Sequence, residues 1–143
     1  MPNIKVKIIT PEGISFDAVA DLLVAPAVQG SVGILPHHIP FFTKLEPGEL
    51  KIKIGGQNKF FAITGGFMDV SPNSQVTILT DSCSRSEELN EKTSLEAKRQ
   101  AEYLLTQREK ISANDFAKAE ASLRKALLEL KVTKRRKERN VSV

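Results

Sequence analysis

The chain has 143 residues, 41% of them hydrophobic, enough for a packed core in one compact domain plus a small appendage, which excludes wholesale disorder. Its net charge of +4 is uneven: Met1 to Ser84 carries six basic against seven acidic residues, net −1, whereas Arg85 to Val143 carries fifteen against ten, net +5. A near-neutral front and a basic back imply two functional units, the second suited to an acidic partner.

The first half reads as short strands separated by turns. Ile4, Val6 and Ile8 alternate with Lys5 and Lys7, the period of a half-buried strand, and Pro11-Glu12-Gly13 breaks it. Asp21 to Ala25 is a second apolar stretch, ending at Pro26. Leu50, Ile52 and Ile54 alternate with lysines, and Gly55-Gly56 turns the chain into Lys59–Thr64 as a hairpin. Gly65-Gly66 closes that strand, Phe67–Val70 starts another, and Gln75–Thr80 is the last, after the Ser71–Ser74 turn. Many short strands at close spacing predict an antiparallel β-sandwich over residues 1–84.

From Ser84 onward there is neither proline nor glycine. Ser84-Arg85-Ser86-Glu87 has the form of a capping box, and Leu89, Ala97, Ala101 and Leu105 recur at multiples of four. Ser112 with Asp115 supplies a second cap, followed by Phe116, Ala119, Leu123, Leu127 and Leu130. Two amphipathic helices joined by a short connection predict an antiparallel hairpin over 85–132, with an alanine-rich, weakly stabilising seam. Residues 133–143 read as a basic, flexible tail. The whole is α+β, mainly β.

The segment GSVGILPHHIPFF, Gly30 to Phe42, and the block ITGGFMDV, Ile63 to Val70, resemble the signatures of the epsilon subunit of F-type ATP synthases. The order of elements is similar over essentially the whole length. The resemblance implies a non-catalytic central-stalk, or rotor, subunit of a complex for ATP synthesis and proton transport. By that resemblance it is expected to couple the gamma subunit to the c-ring, with inhibition of ATP hydrolysis through its C-terminal helices as a hypothesis. Gly30, Ser31, Val32, Gly33 and His38 then belong to the interface with the c-ring and gamma. Glycines at 30 and 33 suit a tight loop, and Pro36 and Pro40 stiffen it. Many relatives are acidic where Ser31 stands and have glycine where His37 stands.

In relatives the hairpin lies against the sandwich or extends along gamma, contacting acidic segments of the alpha and beta catalytic subunits. The residues suited to this here are Arg124, Lys125, Lys131, Lys134, Arg135 and Arg136. Some relatives bind ATP through a motif of the form Ile/Leu-Asp-x-x-Arg-Ala; here Asn90 and Thr93 replace its charged residues, so no nucleotide site and no cofactor are expected. Attachment is expected to be peripheral, through the complex, at the cytoplasmic face of a bacterial membrane or the stromal face of a thylakoid.

Other chemistries find little footing. His37 and His38 are the only histidines, short of the three or four ligands of a zinc site. Cys83 is the only cysteine, which excludes an intrachain disulfide and fits a reducing compartment. No apolar run approaches the roughly 20 residues of a membrane-spanning helix. There is no phosphate loop, no nucleophile elbow and no evident carboxylate pair, so an enzyme is not expected. The alternative is a nucleic-acid-binding module built on the basic helices; against it, the front domain lacks an evident platform of exposed aromatics and the helices mix acids with bases.

Overall fold

In the computed structural model, which describes residues 2–141 and the side chains of 2–139, the chain divides after Arg85 into two compact units. The first contains β1 (Ile4–Thr10), β2 (Gly13–Ala20), β3 (Leu22–Ala27), β4 (Gly30–Ile34), β5 (Phe41–Ile54), β6 (Gln57–Val70), β7 (Gln75–Leu79) and β8 (Cys83–Arg85). Their hydrogen-bonded order is β2-β1-β7-β6-β5-β3-β4, with β8 also on β6. Every pair is antiparallel except β1 with β7, which run parallel. The sheet folds into a sandwich over Ile4, Val6, Ile8, Leu23, Leu50, Ile52, Ile63, Met68 and Ile78. The alternation read in β1 thus faces inward as expected.

The β5–β6 hairpin turns at Gly55-Gly56, pairing Ile54 with Gln57. It does not end at Gly65-Gly66, as the sequence suggests: β6 continues through both glycines to Val70, and β5 begins as early as Phe41. The two glycines bend the strand, with φ of +100° and +131°. Before the bend Phe61–Ile63 pair with β8, and beyond it Phe67–Val70 pair with β7. One long ribbon therefore joins both parts of the sheet, as strands at sandwich corners do. β3 also runs on through Pro26, which sits where the register with β5 shifts between Val24 and Ala27, a place where a missing N–H is tolerated.

The second unit begins with a 3-10 turn at Ser86–Glu88, followed by α1 (Glu91–Thr106) and α2 (Ala113–Val141). Ser84 is not a helix cap: Cys83–Arg85 is strand β8, and the cap of α1 is Asn90, whose Oδ1 accepts from the N–H of Lys92 at 2.9 Å and of Thr93 at 3.3 Å. Ser112 caps α2, its Oγ accepting from Asp115 N–H at 3.1 Å. The helices pack as a hairpin.

Its seam differs from the stripe counted in fours. Leu89 precedes α1, and Leu127 is 47% exposed, while Ser94, Ala101, Ala119, Ala126 and Thr133 are buried. Steps of four drift around a helix of 3.6 residues per turn, so a long seam follows steps of seven instead. Residues 133–143, expected as a separate tail, instead continue α2 as far as Val141, the last described residue. No helix breaker interrupts them, and Arg136 and Lys137 bond back to the start of the unit.

A Cβ on Gly66 would meet the Leu79 carbonyl oxygen at 1.8 Å. Gly66→Ala is expected to cost about 3 kcal/mol or more, combining backbone strain with overpacking. Gly55→Ala, at φ +57° with open space around it, is expected to cost about 1 kcal/mol. Urea unfolding of both variants checks the ranking; equal losses would contradict it.

Candidate docking surface

Gly30, Ser31, Val32 and Gly33 do not form a loop. They lie in β4, the strand at one end of the sheet order, paired with Ala27, Pro26, Ala25 and Val24 of β3. Gly30 opens the strand at φ +120°, out of reach of most side chains, but Gly33 sits in ordinary extended backbone. Ser31 and Gly33 are exposed, and Val32 packs against the core.

The actual loop is 35–40. Its left-handed residue is His37, at φ +66°, a conformation that glycine adopts more easily than histidine. His37 N–H donates to Ser74 Oγ at 3.1 Å, and Ser74 is itself left-handed at φ +58°, so the loop is tied to the β6–β7 turn. His38 is held locally: its N–H bonds Leu35 O at 3.2 Å, its Nδ1 lies 2.7 Å from Ile39 O, and its ring meets Phe41 edge-on at 5.9 Å. Leu35, just before Pro36, and Ile39, just before Pro40, are exposed. Among the described residues no group of three or more His, Cys, Asp or Glu side chains is placed to hold a metal.

Beside this loop lies a surface that the sequence reading missed. Phe42 and Phe67 stack at 5.7 Å with their planes 15° apart, although they are 65% and 44% exposed. Leu79, directly opposite Phe67 in the β6–β7 register, is exposed as well. A cleft of about 410 Å³ adjoins them, lined in part by Ile9, Pro11, Thr64, Phe67 and Leu79. The front unit therefore does carry an exposed aromatic platform. The signal was parity: Phe42 shares a strand face with Lys44, and Phe67 with Asp69, whereas Met68 and Val70 point inward. Exposed stacked rings of this kind on an otherwise well-packed domain mark a contact surface.

On α2, Arg124, Lys125, Lys131, Lys134 and Arg135 are exposed, and the +7 and +4 spacing of Arg124, Lys131 and Arg135 puts those three in one stripe. Arg136 is not among the available charges: it is half-buried and bonded to backbone carbonyls of the same unit. Asn90 is occupied as a cap, and Thr93 is exposed without a charge to offer. Cys83, in β8, is half-buried; burial pushes its thiol pKa up, against a weaker opposing effect from a hydrogen bond with Ser15. A thiol held protonated in this way is a poor nucleophile.

A sandwich with one exposed aromatic face, followed by a helical hairpin, has the build of a docking subunit. Residues 3–86 match the family described as ATP synthase, Delta/Epsilon chain, beta-sandwich domain. The chain is 43% identical to the ATP synthase epsilon chain of Herpetosiphon aurantiacus over 136 residues, 95% of this chain and 98% of that one. It is 39% identical to the epsilon chain of Dehalococcoides mccartyi over 137 residues, 96% of each. In fold it is similar to a chain in the cryo-EM structure of the Euglena gracilis mitochondrial ATP synthase OSCP/F1/c-ring, with a TM-score of 0.66, 20% identity, and coverage of 87% of this chain and 77% of that one. The chain belongs to the ATP synthase epsilon-chain family. It is a non-catalytic subunit of a membrane-associated complex and attaches peripherally; no described helix is long and apolar enough to cross a membrane. Nothing in these likenesses supports the nucleic-acid alternative.

Proposed function

We propose that the sandwich unit is the element of the central stalk that joins gamma to the c-ring. The observation that carries this reading is the stacked, exposed Phe42–Phe67 pair beside the proline-braced 35–40 loop. The aromatic face, with Leu79 and the adjoining cleft, suits the apolar side chains of gamma. Edge strand β4, through Gly30, Ser31, Val32 and Gly33, and the loop with His38 suit the polar loops of the c-ring. Ser31 contributes a neutral hydroxyl to that contact, so it depends on hydrogen bonding and shape more than on charge. The face of the membrane that fits this assembly is the cytoplasmic one in a bacterium, or the stromal one in a plastid. Antibody access in inverted membrane vesicles reports it.

The helical unit is proposed as regulatory, meeting acidic segments of the alpha and beta subunits through Arg124, Lys125, Lys131, Lys134 and Arg135. Single exposed ion pairs contribute about 0–1 kcal/mol, so inhibition of hydrolysis has to come from several acting together. Arg136 joins this set only if it first leaves its carbonyl partners. No tight ATP site is proposed, because neither Asn90 nor Thr93 supplies a charged hydrogen bond to a nucleotide.

Phe42→Asp and Phe67→Asp, at exposed positions, are expected to leave the circular dichroism spectrum unchanged and to weaken binding to purified gamma by about tenfold or more each; undiminished binding contradicts the assignment of that face. Removing everything after Ser86 is expected to raise ATP hydrolysis by the reconstituted complex, and an unchanged rate counts against the inhibitory role. Calorimetric titration of the full chain with ATP is expected to show no micromolar binding; a saturable micromolar isotherm would overturn that reading.

A further inference from the structure

Arg136 lies near the end of α2, yet its Nη1 donates to two carbonyl oxygens far earlier in the chain: Ser86 at 2.6 Å and Leu89 at 2.9 Å. Both carbonyls belong to the short segment that leads from the sandwich unit into α1, a 3-10 turn at Ser86–Glu88, then Leu89, then the cap Asn90. Within that turn Leu89 N–H makes a long bond to Ser86 O, at 3.3 Å. Ser86 is buried, and Leu89 and Arg136 are half-buried, so the guanidinium bonds are partly shielded from water.

The neighbouring contacts point the same way. Two turns earlier on the same face of α2, Glu129 Oε2 accepts from Ser94 Oγ at 2.9 Å, and Lys137 pairs with Glu91. Between them Thr133 is buried, with its hydroxyl turned back to Leu130 O. The end of α2 is thus fastened to residues 86–94 by polar bonds, which are directional and break singly, just past the buried apolar side chains of Leu128 and Val132.

We propose that Arg136 is a latch coupling the shape of the Ser86–Asn90 linker to the docking of the end of α2. With the guanidinium on the two carbonyls the linker is a closed turn; with it withdrawn, the linker is free to extend. The acceptors are neutral, so a partner carboxylate offering a bidentate, charge-assisted pair competes for the same side chain. Lys134 and Arg135, exposed next to it, draw an acidic surface to that point. The regulatory consequence rests on the inhibitory reading of the helices; the latch itself does not.

Amide hydrogen exchange on the full chain, comparing wild type with Arg136→Gln and Arg136→Lys, tests it. Losing bonds to a charged donor is expected to speed exchange at the Leu89 and Ser94 amides about tenfold in Arg136→Gln. The lysine variant, which lacks the planar fork, is expected to show a smaller gain, with β1, β6 and the Ala101–Ala119 region of the hairpin unchanged in both. Unchanged exchange at Leu89 and Ser94 overturns the latch. So does an increase spread evenly along both helices, which is loss of helix and not release of a linker. In the reconstituted complex, Arg136→Gln is expected to alter ATP hydrolysis relative to wild type. Faster linker exchange with unaltered hydrolysis leaves the latch standing and removes its regulatory consequence.

Discussion

The β5–β6 ribbon bends where Pro47 pairs opposite Thr64 and where Gly66 passes so close to the Leu79 carbonyl that no side chain fits between them. Without that approach β6 would run straight, and its second half could not pair with β7 while its first half pairs with β8. The bend therefore holds the sandwich together as one body, and it also fixes the register that sets Phe67 opposite Leu79 and within stacking distance of Phe42. The aromatic face is a by-product of the same constraint that closes the core. Neither ring is anchored by burial; both are displayed by backbone pairing, which is stiffer than a loop would be.

The helical unit is built on the opposite principle. Its seam consists mainly of alanine, serine and threonine. Burying a methylene contributes about 0.8 kcal/mol, so small side chains give close approach and little driving force. What adds definition is polar: the Asn90 and Ser112 caps, Ser94 with Glu129, and Arg136 on its two carbonyls. Bonds of that last kind typically contribute about 1.5–3 kcal/mol, comparable with burying one larger seam residue such as Val132. A unit held in this way opens in parts, whereas the sandwich is expected to open as a whole.

How far the sequence discloses this depends on which side chains carry the signal. Strand β1, the Gly55-Gly56 hairpin and the Ser112 cap were readable because alternation, a paired-glycine turn and a capping hydroxyl each act locally. The strands β2, β4 and β8 were missed: GSVGI and CSR contain too few apolar residues to alternate, and in β2 Ile14 and Val19 point to solvent. Their pairing is dictated by neighbours distant in sequence, so local propensity loses to tertiary context. Gly65-Gly66 looks in sequence like punctuation between strands but is a bend within one strand, a distinction that rests on the Leu79 carbonyl. Arg136 looks in sequence like a free charge because nothing there links it to Ser86 and Leu89. The family signature at Gly30 to Phe42 was sound as a marker, although its first part is an edge strand and only 35–40 is the loop.

A rigid aromatic face, displayed by the bent ribbon, is what the proposed stalk partner grips. A hydrogen-exchange footprint of the full chain with and without purified gamma addresses it most directly. New protection is expected over residues 41–44, 66–69 and the end of β7, with the α1–α2 hairpin needed for none of it. Protection confined to the helical unit, with the Phe42–Phe67 region exchanging as in the free chain, would contradict it.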